Sequence, residues 1–193
     1  MMAAIGSFRI SHLLRFAAGC LCLVGTVHMA VGQSGSPIFD LAREGDVEAL
    51  ENLLRAEPQA ATLRDANGYS ALILAAYHGH EAAVARLTAF DDVNYVSSYG
   101  TALMGAAVKG HTEIAALLLE ADADPNLADA DGNTPLIYAA MFEHEALARL
   151  LLAQRADPSQ KNKKGFSAVD YAERQSNTTL TILFDSHLQK PNE

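Results

Sequence analysis

The 193-residue chain is half apolar, lacks Trp and carries 14 Lys and Arg against 23 Asp and Glu, a formal charge of −9. That length suits one domain or a short solenoid with a sizeable core. An acidic balance of this size repels phosphate backbones and anionic lipid, which disfavours nucleic-acid binding.

Residues 1–32 contain no Asp or Glu; the first acid is Asp40. Arg9 and Arg15 give a positive start, and Phe16 to Gly32 is an apolar run of small residues ending in Ala30-Val31-Gly32. This is the layout of a secretory signal peptide, with cleavage expected after Gly32. A retained anchor is the competing reading, but the run is short for a span and contains His28 and three glycines. Cleavage would remove Cys20 and Cys22, leaving a chain without thiols, as suits an oxidising compartment. It would also remove Arg9 and Arg15, leaving 12 basic residues against 23 acidic ones, a formal charge of −11. The chain is therefore expected to be exported, to the periplasm in a Gram-negative host, with no membrane contact after cleavage. A basic partner is expected to associate faster at low salt.

The remainder repeats. Leu72, Leu103, Leu136 and Val169 occupy one position, at spacings of 31, 33 and 33 residues. Ahead of each apolar run stands a hydroxyl residue (Ser70, Thr101, Thr134, Ser167), the N-cap choice. Pro135 falls at a first helical position, where a missing N–H costs nothing. The small pairs Ala75-Ala76, Ala106-Ala107 and Ala139-Ala140 let neighbouring helices approach closely. Gly79 and Gly110 are expected to end the short first helix, and second helices are expected over 81–89, 112–121 and 145–153. Polar links such as Asp129-Ala130-Asp131-Gly132-Asn133 suit tight turns.

These letters at this period resemble the ankyrin repeat; a tetratricopeptide array would need a period of 34 and other anchors. The resemblance covers about residues 36–188, and Asp129 through Asp157 match best. It implies an all-α solenoid of helix-turn-helix units with short turn or hairpin fingers. The expected layout is a signal peptide at 1–32 and a repeat domain at 33–190. The domain comprises a cap at 36–64, repeats at about 65–96, 97–128 and 129–161, and a C-terminal cap at 162–188. The family's His after Thr-Pro-Leu is replaced by Ile73, Met104, Ile137 and Asp170, so its hydrogen bond to the Thr is lost and these positions are expected to pack instead. The link from 90 to 100 is two residues short and its Gly is displaced, so that finger is expected to be distorted.

Little chemistry is legible. His80, His111 and His144 recur at one repeat position. Packed elements stand about 10 Å apart, too far for one ion's ligands, so these rings are expected to bond loop backbone at the start of the second helix. Asp122-x-Asp124-x-Asn126 opens like a calcium loop, but Leu127 stands where Gly is needed and Asn133 where a bidentate Glu is needed. The acidic pairs read as solvated turn and cap residues. No nucleophile elbow, phosphate loop or H-E-x-x-H occurs, so no enzyme, metal or cofactor is expected. Asn177-Thr178-Thr179 is a glycosylation sequon, relevant only in a eukaryotic host.

The resemblance implies a protein partner, contacted by the turn tips and the exposed side of the first helix. Carried over position by position, it points to Tyr69, Tyr77, His78, Lys109, Met141, Phe142 and Phe166, in a chain expected to be monomeric. Aromatic rings at such positions are common interface anchors; alternatively, Met141 and Phe142 tuck under a neighbouring finger. The chain also resembles small periplasmic ankyrin proteins associated with peroxide defence, which implies an envelope accessory as the alternative to a binding module or scaffold.

Overall fold

A computed structural model describes residues 36–189. The expected signal peptide at 1–32 lies outside them. Among the described residues there are ten α-helices: α1 (Pro37–Glu44), α2 (Val47–Ala56), α3 (Ala71–His78), α4 (Glu81–Leu87), α5 (Ala102–Lys109), α6 (Thr112–Glu120), α7 (Pro135–Met141), α8 (Glu145–Ala153), α9 (Ala168–Arg174) and α10 (Thr178–Leu188). A 3-10 turn, Pro58–Thr62, joins α2 to the first finger. No strand forms among them beyond the isolated bridge of Ser97 with Gly100.

The odd-numbered helices form one layer and the even-numbered helices another. Each odd helix packs on the odd helices before and after it, and on the even helix that follows it in the chain. The alanine pairs at 75–76, 106–107 and 139–140 are fully buried, and their small size permits this close stacking. Leu72, Leu103 and Leu136 are buried between layers, while Val169, in the last unit, is half-exposed. Each inner helix starts as its capping residue dictates. The hydroxyls of Ser70, Thr101 and Thr134 accept from the N–H of Ile73, Met104 and Ile137, satisfying an otherwise orphaned donor. Ile73, Met104 and Ile137 themselves are buried, so the positions vacated by the family His do pack. In the last unit Asp170 closes a reciprocal capping box with Ser167. Hydrogen bonds donated to its carboxylate by the Ser167 backbone N–H and hydroxyl hold Asp170 below the usual carboxylate range.

Successive units are tied by side chains of one column. The His80 Nε2–H donates to the Arg43 carbonyl at 2.7 Å, and the His144 Nε2–H reaches the Val108 carbonyl at 3.4 Å. The bonded backbone is thus that of the preceding unit's first helix. Each ring covers the glycine that ends that helix: a Cβ on Gly45, Gly79 or Gly110 would stand 2.3, 3.0 or 2.7 Å from the ring of His80, His111 or His144. A second column bridges the loops. Asn94 accepts from Asp124 N–H and donates to the Asp122 carbonyl; Asn126 does the same with Asp157 and Arg155.

Two expectations need correction. Helix α4 stops at Leu87 rather than residue 89, because the Phe90 and Asp91 N–H groups turn back to the Leu87 carbonyl. Helix α6 likewise ends at Glu120, one residue early, with the Ala121 N–H closing on Leu117 and Leu118. The fingers at 65–69, 129–133 and 162–166 are alike: an Asp or Asn oxygen accepts from the N–H groups two and four residues on. The finger at 97–100 is one residue shorter and differs. Ser97 and Gly100 exchange two backbone hydrogen bonds at 3.0 and 3.1 Å, and the Ser97 hydroxyl donates to the Gly100 carbonyl. Gly100 takes φ +103°, a conformation open to glycine.

Candidate protein-binding groove

The short finger, its neighbour and residues of four inner helices line a groove of about 530 Å³. Its floor comes from Ile73 and Leu74 of α3 and from Met104, Gly105 and Val108 of α5. Tyr69 and Tyr99, from adjacent fingers, form one wall with stacked rings 5.2 Å apart at 23°. Tyr77 and His78 close the α3 side and Tyr138 of α7 the far end. Tyr99 is 65% exposed and Tyr77 39% exposed. Aromatic rings held this way offer contact area at small entropic cost.

Charge at the groove is sparse and mostly matched. The Arg43 guanidinium lies at one end between Asp40, at 2.9 Å, and Asp65, at 3.1 Å. The Lys109 Nζ sits over the Tyr77 ring, 4.6 Å from its centroid. Among the described residues Lys109 has no carboxylate within ion-pair distance. Desolvation, and after it His80, Arg43 and Lys109, hold His78 below its ordinary pKa. It is therefore mainly neutral at pH 7. Burial, with help from Tyr99, Asp65 and Tyr77, raises the Tyr69 phenol. Burial and a hydrogen bond donated to the Asp129 carboxylate raise that of Tyr138. Both phenols stay protonated, and the O–H of Tyr138 is committed to Asp129.

Of the seven residues singled out from sequence, Tyr69, Tyr77 and His78 line this groove and Lys109 stands at its rim. Met141, Phe142 and Phe166 do not. Met141 is half-buried and packs on the core, and its carbonyl accepts from Gln175. Phe142 is 47% exposed and stacks on Tyr138. Half-buried Phe166 packs beside Tyr171, with the Arg174 guanidinium 4.7 Å from its centroid. Phe142 thus backs a ring that lines the groove, while Phe166 lies in the last finger. Sequence reasoning missed Tyr99, Tyr138 and Met104. Counting from the repeat leucine would have shown Leu74, Gly105 and Tyr138 at one position.

The residues 38–129 and 121–193 match the family model for ankyrin repeats (3 copies). The chain belongs to the ankyrin-repeat family. Similar ankyrin-repeat proteins include mouse protein phosphatase 1 regulatory subunit 12A, 38% identical over 98 residues, which are 50% of this chain and 8% of that protein. Human ankyrin repeat and SOCS box protein 3 is 36% identical over 100 residues, 49% of this chain and 19% of the relative. A putative ankyrin repeat-containing protein of Treponema pallidum is 34% identical over 117 residues, 56% of this chain and 39% of the relative. The matches thus span less than half the length of each of these relatives.

The ankyrin framework also locates the charge. Helices α3, α5 and α7 contain no Asp or Glu, whereas α4, α6 and α8 carry Glu81, Glu113, Glu120 and Glu145. The expectation that net acidity recruits a basic partner therefore needs correction at the groove, whose floor is uncharged and whose one carboxylate, Asp65, is paired with Arg43. Among the described residues no three His, Cys, Asp or Glu side chains come together as metal ligands.

Proposed function

We propose that this chain is a non-enzymatic protein-binding module that seats its partner in the groove between the first two fingers and α3 and α5. The observation that carries this reading is the exposed Tyr99 stacked on the half-buried Tyr69 above an apolar floor. Rings so placed are already ordered, so binding them costs little further entropy. Similarity to a protein named as a phosphatase regulatory subunit favours binding over catalysis.

The test pairs affinity with stability. Tyr77→Ala and Tyr99→Ala should keep the parent melting temperature and weaken a crosslink-identified partner by at least about 2 kcal/mol, roughly thirtyfold. Early melting of both, or unchanged affinity, would reject the groove. Phe142→Ala asks whether the ring behind Tyr138 extends the contact.

The same proposal has the protein act outside the cytoplasm, on the strength of the acid-free apolar start. N-terminal sequencing of exported protein should begin at or near Gln33; full-length protein confined to the cytoplasm would reject export. The peroxide-defence alternative would act through whatever is bound, since the described residues contain no cysteine. Peroxide sensitivity of a deletion strain is its test.

A further inference from the structure

One residue in the groove's floor has no side chain. Two places after the repeat leucine, α3 has Leu74, α7 has Tyr138, and α5 between them has Gly105. All three line the groove, so the missing side chain leaves a notch in its floor. A Cβ built on Gly105 would meet only ordinary contacts, at 3.5 Å from the Ile73 carbonyl oxygen and from Cβ and N of Tyr77. Packing therefore does not demand glycine there, although a glycine inside a helix costs about 1 kcal/mol relative to alanine. The walls of the notch are Tyr77, Tyr138 and the Tyr69–Tyr99 pair. Over one of these walls, Tyr77, lies Lys109, without a carboxylate partner among the described residues. Arg43 is already clasped by Asp40 and Asp65, and His78 carries little charge.

We infer that the notch over Gly105 receives one aromatic or large aliphatic side chain of a partner protein, next to a carboxylate that pairs with Lys109. The inference rests on the proposed binding role and adds the chemistry of what is recognised. Complementarity carries it. An apolar, aromatic-walled recess accepts an apolar side chain, and an unpaired ammonium over its Tyr77 wall favours an adjacent anion over a cation. A basic ligand would instead meet Lys109, and like charges at close range select against it.

Two small probes with the same aromatic body and opposite charge isolate that chemistry: 3-phenylpropionate and 3-phenylpropylamine. Each is titrated into the purified protein at low salt while the amide resonances of Gly105 and Val108 are followed. The acid should shift them and bind roughly threefold or more tightly than the amine, the size expected of one exposed ion pair. Lys109→Ala should erase the preference while leaving the apolar contact. Gly105→Ala should leave a partly filled notch that still binds. Gly105→Leu, checked for an unchanged circular dichroism spectrum and melting temperature, should bind neither probe. Equal or tighter binding of the amine, silence at these resonances with both probes, or a Gly105→Leu protein that folds and binds as before would overturn the inference. The proposed function fails separately, since it depends on loss of the macromolecular partner in the tyrosine variants and not on either probe.

Discussion

At the scale of the residue, four side chains stand in a backbone region that favours glycine. Asp122, Glu143, Arg155 and Ser176 have φ of 64, 59, 66 and 56°. Glu143 and Ser176 fall in the column that Gly45, Gly79 and Gly110 occupy in earlier units. The left-handed conformation costs an L-residue about 1–2 kcal/mol, part of which glycine returns through its more disordered unfolded state. Arg155→Gly is therefore expected to stabilise the fold by about 0.5–1 kcal/mol, a rise of about 2 °C in melting temperature. Its carbonyl would still accept from Asn126. An unchanged or lower midpoint would mean that the Arg155 side chain makes up the strain. The glycine column itself was legible in the sequence at Gly79 and Gly110. Its continuation through Glu143 was not, because a charged residue gives no sign that it will be forced into positive φ.

At the scale of the element, the hydroxyl caps and the alanine pairs marked the inner helices because cap chemistry and close packing are both local requirements. The ends of α4 and α6 were less legible, since they depend on which following N–H groups turn back onto helix carbonyls rather than on periodicity. The short second finger was expected to be distorted, but its consequence was hidden. Losing one loop residue moved Tyr99 to the tip, where it meets Tyr69 from a neighbouring unit. A reading made one repeat at a time passes over such a pair. The groove's floor escaped for a similar reason: Met104 was read as core, which it is at 1% exposure, yet it still touches the groove. Two glycines of α5 and its cap then separate packing from recess. Gly110→Ala is expected to cost about 1–3 kcal/mol, because it combines φ of 73° with a Cβ 2.7 Å from the His144 ring. Gly105→Ala, inside the helix and free of clash, should stabilise by up to about 1 kcal/mol. Urea unfolding of the two variants checks the opposite signs; the same sign for both would remove the distinction between a glycine kept by backbone and one kept by the groove.

At the scale of the molecule, the two layers divide labour. The outer helices α4, α6 and α8 carry Glu81, Glu113, Glu120 and Glu145 and the connecting loops carry many of the other acids, while the middle inner helices carry none and present tyrosines and an uncharged floor. Formal charge summed along the chain could not reveal this, because it ignores which layer each acid joins. Repeat units contact only their neighbours, so a stack of this kind gains a continuous face without any single unit being a site. The central claim is that this face, and not the outer layer, meets the partner. A photo-crosslinking side chain at Tyr99, in the short finger, and another at Arg149, exposed on α8, compare the two directly. Crosslinks to the partner from position 99 and none from position 149 are the predicted result; crosslinks from 149 alone would put the partner on the outer helices and contradict the account.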